Sequence, residues 1–298
     1  MGLDNETPTK SVLITGSSTG IGEACAIALH DKGIRVFAGV RRQEDGERLV
    51  KQTSAALIPL LLDVTDEQAI KKATQQITDA TAGGGLSGLV NNAGITIAFP
   101  LEFLPMDVLR KQLEVNVIGP AAVTQAMLPL IRQGQGRIVN VSSISGLAAA
   151  PYIGAYAASK HALEAMSDSL RVELRNFAVP VSLVEPADVA TPIWEKSRQA
   201  ANDLRSEVMD RGEGDDVSEE VREAYARDIA AMREATSKSE KQAIPVSHVV
   251  KAIEHALLAR RPKTRYLVGG KTRAVKFFLR HLPDRLRDRI VMNSLGMK

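Results

Sequence analysis

Cysteine is almost missing from this chain: Cys25 is the only one in 298 residues. A lone thiol excludes an intramolecular disulfide and any cysteine-built zinc cluster. Its setting, Glu23 to Leu29, makes it a small apolar residue on a first helix. Charge of one sign is scarce too. Thirty-eight Lys and Arg stand against 35 Asp and Glu, a net of +3, so no nucleic-acid surface is expected. His30, His161, His248, His255 and His281 show no ligand spacing, so they read as structural or solvated and no metal is expected. The start, Met1-Gly2-Leu3-Asp4-Asn5-Glu6, is polar and acidic, unlike a signal peptide. Glu6 stands where a myristoylation site needs Ser or Thr. A cytoplasmic protein is expected. Val115 to Ile131 carries no charge, but Asn116, Pro120 and Pro129 argue against a membrane span and for a buried, interface-forming helix.

What is present is an ordinary globular balance, 44% hydrophobic and 24% charged, in a chain long enough to bury a sizeable core. Short runs rich in β-branched residues read as strands: Ser11 to Thr15, Ile34 to Val40, Leu57 to Leu62, Leu86 to Val90, Gly136 to Val141, Val179 to Val184 and Arg265 to Val268. Helical stretches lie between them at Glu44 to Gln52, Asp66 to Thr81, Met106 to Arg132 and Ala155 to Asn176. This alternation predicts an α/β fold: a doubly wound parallel sheet in a three-layer α/β/α sandwich with right-handed crossovers. The domain is expected over 10–270, after a tail over 1–9 and before an extension over 271–298.

The first strand runs into Gly16-Ser17-Ser18-Thr19-Gly20-Ile21-Gly22 and then a helix-forming stretch. Strand, glycine turn and helix together let the backbone approach a pyrophosphate, with free N–H groups and a positive dipole end at the helix start. The spacing is G-x-x-x-G-x-G, not the commoner G-x-G-x-x-G. After the second strand, Gly39-Val40-Arg41-Arg42 holds no carboxylate to bind ribose hydroxyls. Two guanidinium groups there can pair with a 2′-phosphate instead, so NADP(H) is favoured, with NAD(H) the alternative. Farther on, Tyr156-Ala157-Ala158-Ser159-Lys160 puts a phenol and an ammonium on one helix face. The cation is expected to lower the phenol's pKa. A tyrosine so tuned can give a proton to a carbonyl or take one from an alcohol.

Three further segments lie between these two: Asn91-Asn92-Ala93-Gly94, Asn116-Val117-Ile118-Gly119 and Asn140-Val141-Ser142-Ser143. With Thr15-Gly16 to Ile21-Gly22 and Tyr156 to Lys160, this ordered set resembles the short-chain dehydrogenase/reductase family, in its compact single-domain branch. The resemblance spans about residues 10 to 192 and resumes more loosely at Tyr266-Leu267-Val268-Gly269. It implies a Rossmann fold and a nicotinamide cofactor. Ser143, 13 positions before Tyr156, resembles the family's catalytic serine better than Ser142 does. It would hold the substrate oxygen. Tyr156 would be the general acid or base, Lys160 would stabilise the phenolate and bind ribose hydroxyls, and Asn116 would support a proton relay. Gly16, Ser18, Thr19, Gly20, Ile21 and Gly22 would lie along the cofactor. Arg41 matches the arginine of NADP-preferring members. Asp63 and Val64 resemble the pair at the adenine, and Asn92, Ala93 and Gly94 would line the ribose side. Pro186, Val189 and Thr191 resemble the loop over the nicotinamide, where Ala187 replaces the usual glycine. The family is usually dimeric or tetrameric, so a homodimer or homotetramer is implied.

The substrate side is less marked. Ile95, Leu147, Ala149, Ile153 and Trp194, with Ser143, are candidate wall residues, favouring a hydrophobic alcohol or ketone such as a steroid, retinoid or lipid-derived carbonyl. The insertion at 193–245 is broken at Gly212 to Asp216 and restarts at Ser218-Glu219-Glu220, a helix-capping sequence. Val217, Val221, Tyr225, Ile229 and Met232 then form a stripe. That helix is either a lid or a surface helix on its own domain. The extension at 271–298 carries eight basic and two acidic residues among apolar ones. It suits peripheral contact with an anionic membrane, or folding back over the substrate site or a neighbouring subunit. Two rival functions remain at this point: a catalytically silent NAD(P) sensor, and a membrane-surface lipid-binding module.

Overall fold

The computed structural model describes residues 10–53, 57–208, 219–269 and 282–297. The tail at 1–9, the break at Gly212 to Asp216, the cap at Ser218 and the first part of the C-terminal extension lie outside the described residues. Seven strands form one sheet: β1 Ser11–Ile14, β2 Arg35–Val40, β3 Leu57–Leu61, β4 Gly88–Asn91, β5 Arg137–Val141, β6 Val181–Pro186 and β7 Arg265–Val268. Their order is β3-β2-β1-β4-β5-β6-β7 and every pairing is parallel. The expected doubly wound sheet is therefore present. Each strand lies within one or two residues of its expected bounds, the later starts falling where an apolar loop residue such as Ile34 or Leu86 precedes the ladder.

The helices are α1 Gly20–His30, α2 Gln43–Gln52, α3 Glu67–Thr81, α4 Met106–Leu113, α5 Gly119–Gln133, α6 Gly154–Glu173, α7 Ile193–Val208, α8 Glu219–Lys241, α9 Val246–Leu258 and α10 Asp284–Leu295. One face of the sheet buries Cys25, Ala26 and Leu29 of α1 with Val249, Val250 and Ile253 of α9. The other buries Ile70 and Ile77 of α3 with Val123, Met127 and Ile131 of α5. Strands covered on both faces need continuous apolar runs, which explains β2 and β6. Cys25 is fully buried, and burial with the nearby charge of Glu254 pushes its thiol up to about 12. It is an inert core group.

Three features depart from the sequence reading. The single helix expected from Met106 is interrupted by a π-helical turn, Glu114–Ile118, around Asn116. Met106–Gln133 as a whole is long and apolar enough to cross a membrane, yet half of its apolar window is buried inside the domain. The insertion holds two long helices, α7 and α8, not one. Finally, α9 was not expected, although Val249, Val250, Ile253, Ala256 and Leu257 repeat at helical spacing after Pro245.

Candidate active site

At the carboxyl ends of β1 and β4 the strand order reverses, opening the crevice where such sheets bind ligands. The glycine turn sits there. Gly16 has φ +68° and Gly20 φ +64°. A Cβ on Gly16 would fall 2.8 Å from the Ala93 Cα, and one on Gly22 would fall 2.2 Å from the Gly16 carbonyl oxygen. Thr19, at the start of α1, makes no side-chain cap bond, so the first-turn N–H groups of the helix keep their donors. Thr15 joins this turn to the next strand. Its hydroxyl accepts from the backbone N–H of Asn92 and of Ala93, both at 3.0 Å. The Asn92 amide donates to the carbonyls of Thr15 and Gly16, also at 3.0 Å. Arg48 on α2 pins the outer side through Glu23 and the Ser18 carbonyl. In the sequence Thr15 stood only as the residue that opens the glycine motif, with no role given, and Arg48 was not singled out. For Arg48 the signal was absent, because its partners lie 25 and 30 residues away.

The turn opens into a cavity of about 1480 Å³. Gly16, Ser18, Thr19, Gly20 and Ile21 line it, as do Arg41, Asp63, Val64, Asn92, Ala93 and Gly94. Gly22 does not, because it packs against the turn from behind. A glycine cradle that tolerates no Cβ, beside free helix N–H groups, fits a dinucleotide. Arg41 is exposed and makes no bond to another described residue, whereas Arg42 is engaged by Asp45 at 3.1 Å. Asp63 accepts from the backbone and hydroxyl of Thr65, and Val64 packs where Gly119 leaves space at the start of α5.

Pro186, Val189 and Thr191 continue the wall. Ala187 donates its N–H to the Val268 carbonyl at 2.9 Å and is not among the residues with positive φ. The loop thus takes a shape that alanine tolerates, and glycine's freedom is not needed. Trp194 donates to the Val189 carbonyl at 2.8 Å, and Lys196 reaches Thr19 at 3.0 Å. The first turn of α7 therefore fastens this loop to the glycine turn.

Deeper in the cavity, α6 presents Tyr156 and Lys160. Ser143 and Thr96 line the cavity together with Tyr156, and their side chains act on its phenol from close by. Ser142 lies instead against the Glu164 carboxylate. Of the two serines, Ser143 is the one that neighbours the phenol. Thr96 was missed, since it sits in an irregular loop with no periodic signal. Lys160 is buried and donates to the Val141 carbonyl at 2.9 Å, with its Nζ 5.7 Å from the centre of the Tyr156 ring. Burial pushes its ammonium down to about 8, against the opposing charge of Glu164. The expectation that Lys160 lowers the phenol needs correction. Burial raises Tyr156, and the neighbouring Ser143 and Thr96 side chains only reduce that rise.

Asn116 does not line the cavity. Its amide donates to the Ile95 carbonyl at 2.9 Å and to Ser159 at 3.0 Å, and it accepts from the Ile95 N–H at 2.9 Å. Both side-chain donors are spent, so the side chain is a clamp that ties the π-helical turn to the loop after β4 and to α6. Gly94 lies between Asn116 and Lys160, where an added Cβ would stand 3.4 Å from one and 3.8 Å from the other.

Ile95, Ala149, Ile153 and Trp194 line the outer part of the cavity, as expected. Leu147 does not, because it closes the short 3-10 turn Ile144–Gly146 while the alanines after it face the cavity. Ile229 and Met232 of α8 and Val291 of α10 complete the wall; Val221 and Tyr225 of the stripe do not line it, and Val217 lies outside the described residues. Tyr152 was overlooked. It holds φ +65°, donates to Asp228 of α8 at 3.1 Å, and meets the Tyr225 ring edge-on at 6.3 Å. Tyr225 in turn donates to Glu102 at 2.6 Å.

Comparison with known proteins places this geometry. The family model for short chain dehydrogenases matches residues 10–202. The NADPH-dependent 3-dehydrocapnine reductase of Ornithobacterium rhinotracheale is 34% identical over 288 residues, covering 95% of this chain and 96% of that protein. Human retinol dehydrogenase 16 is 37% identical over 289 residues, covering 95% and 87%. A short chain dehydrogenase/reductase from Burkholderia phymatum, solved in complex with NAD, superposes with a TM-score of 0.74 at 25% identity, covering 97% of this chain and 96% of that one. A glycine cradle at the sheet's switch point, a serine–tyrosine–lysine set behind it and likeness along nearly the whole chain lead to one assignment: this chain belongs to the short-chain dehydrogenase/reductase family of NAD(P)-dependent oxidoreductases.

Proposed function

We propose that the protein is an NADP(H)-dependent oxidoreductase that interconverts a hydrophobic alcohol and its ketone or aldehyde. One observation carries the reading. The Tyr156 phenol and the Ser143 side chain share an apolar-walled cavity with the glycine cradle, and a buried lysine lies one helical turn away. When bound, the dinucleotide supplies or accepts the hydride. Ser143 holds the substrate oxygen at the Tyr156 phenol. In reduction Tyr156 gives its proton to that oxygen, and in oxidation it takes one. Lys160, one turn further along the helix, would bind the ribose hydroxyls. Asn116 keeps the loop after β4 and α6 in register around them. Gly16, Ser18, Thr19, Gly20 and Ile21, with Asp63, Val64 and Asn92 to Gly94, would hold the pyrophosphate, adenine and ribose, and Pro186, Val189 and Thr191 would cover the nicotinamide.

Arg41 supports the NADP preference, since it is the cation after β2 that no carboxylate occupies. Ile95, Ala149, Ile153, Trp194 and Met232 support an apolar substrate of steroid, retinoid or lipid type. The likeness to a retinol dehydrogenase points the same way. The exposed apolar side chains Ile118, Met166 and Val172 on the π-helical turn and α6 support a homodimer or homotetramer. The test is NADPH oxidation over a panel of steroid, retinoid and long-chain carbonyls, with Tyr156→Phe as control. Turnover is expected with the native chain. In the variant it should fall by about 10²-fold or more, with cofactor affinity kept. Cofactor binding with no turnover on any carbonyl would sink the reading.

A further inference from the structure

The cavity wall changes character under α7 and α8. Ile153, Trp194, Ile229 and Met232 line it with half-buried apolar side chains. Arg198, Asn202 and Arg205 of α7 and Arg233 of α8 line it as well, and these are exposed, so they form its mouth. The two helices run in opposite directions, because Arg198 meets Glu240 at 2.6 Å and Arg233 meets Asn202 at 3.1 Å. That register brings Arg205 level with the stretch 230–233. On its other face α7 packs Ala200 and Leu204 against Ile97, Phe99 and Leu104. A helix pinned on that side turns positions 198, 202 and 205 to the cavity. Arg198 is neutralised by Glu240. Among the described residues no carboxylate pairs with Arg205 or Arg233. The other carboxylates on the wall, Asp63, Glu114 and Asp188, lie after β3, on the π-helical turn and after β6.

These two arginines are badly placed for the cofactor. Lys196 already reaches the glycine turn through Thr19, and Arg205 follows Lys196 by nine residues, about 13 Å along the helix axis. Nor is charge needed to close the cover there, since Arg233 takes only an amide oxygen and Arg205 bonds no described residue. A guanidinium binds oxyanions through paired N–H groups. The cavity thus offers a phenol inside, an apolar wall, and two uncompensated cations at the mouth. We infer that the substrate carries the same parts in the same order: a carbonyl or alcohol at Tyr156, an apolar chain along Ile153 and Met232, and an oxyanion end group, of which a carboxylate is the simplest, held by Arg205 and Arg233. A steroid or retinoid with no charged end would leave both cations in water. Arg205 and Arg233 touch no reacting atom. They select the substrate.

This inference deepens the oxidoreductase reading and rests on it for its kinetic test, but not for its binding test. The kinetic test uses long-chain oxo acids with the ketone at different distances from the carboxylate, each beside its methyl ester, below the concentration at which they form micelles. For at least one pair the native chain should prefer the acid in kcat/KM by about 10-fold or more, and added salt should shrink that preference. Arg205→Gln with Arg233→Gln should bring the acid-to-ester ratio close to one, with NADPH affinity unchanged. Lysine at both positions should keep part of the preference. Arg205→Gln alone, which breaks no bond within the cover, should lose part of it. A ratio near one in the native chain would overturn the inference. So would a double variant that loses activity on acid and ester alike with the ratio kept, since that is what a merely loosened cover gives. Should no carbonyl turn over, the oxidoreductase reading falls and calorimetry decides the site. Stearate should then bind the NADPH-loaded native chain about 10-fold more tightly than octadecanol, a preference absent from the double glutamine variant. Equal binding of the two would overturn the assignment of Arg205 and Arg233.

Discussion

The cavity has two halves built on different principles. The cofactor half is made of backbone. Gly16, Gly22 and Ala93 interlock at distances that admit no side-chain atom, and Thr15 and Asn92 close the turn with buried or half-buried hydrogen bonds. The other half, under α7 and α8, is held by one small apolar cluster, in which Leu204 of α7 packs with Ile97, Phe99 and Leu104, and by side-chain tips at the surface. Arg198 meets Glu240 at 2.6 Å with 47% and 38% of the two side chains exposed, Arg233 meets Asn202 at 3.1 Å, and Tyr152 and Tyr225 reach Asp228 and Glu102. Exposed pairs of this kind contribute about 0 to 1 kcal/mol each. The first half is a fixed mould. The second is a cover held by one small apolar cluster and several weak clasps, the arrangement expected of an element that opens and closes.

Substitutions can break that contrast or sharpen it. Gly16→Val should do most. It adds a clash with Ala93 and forces a β-branched residue to positive φ, so cofactor affinity should drop beyond detection by calorimetry; binding within tenfold of native would show that the mould yields. Arg41→Asp comes next. Replacing a phosphate partner by a like charge should cost NADPH binding about 10- to 100-fold, with NADH binding little changed. An unaltered ratio of the two affinities would remove Arg41 from cofactor choice.

Lys160→Met probes the cost of the mould. The Lys160 pKa is depressed on folding, so between about 8 and its ordinary 10.5 the unfolded chain binds more protons than the folded one. Its burial penalty is therefore full below pH 8 and fades as pH rises toward 10.5. The Met variant should be inactive yet more stable at pH 7, by about 2 kcal/mol, with the gain shrinking by pH 10. Equal melting curves at both pH values would contradict this. The smallest effect belongs to the cover. Tyr152→Phe removes one clasp and should change KM for a carbonyl by about twofold to fivefold, with NADPH affinity and melting temperature near native. A comparable loss of NADPH affinity would mean that the two halves are not separable.

The same contrast explains how much could be read from the sequence. The mould is local. The glycine turn follows β1 within a few residues, and the tyrosine and lysine share one helix turn, so spacing together with the family resemblance pointed to them. Strand positions were legible because buried parallel strands must be apolar throughout. What escaped was carried by distant pairs. Glu164 finds Arg265 across 101 residues, Tyr152 finds Asp228 across 76, and Thr96 reaches the phenol from a loop without periodicity. The direction of the Tyr156 shift escaped for a similar reason. A helical spacing of four shows that two side chains are neighbours, but not that burial outweighs their attraction.

Ala187 has a wider bearing. Its backbone bonds to Val268 and turns as the loop requires without positive φ. A signature that insists on glycine at this spot would discard the present chain, and others spelled like it, for a freedom the fold never uses. Catalogues of such enzymes assembled from that signature would be trimmed by habit of spelling, not by any limit of shape.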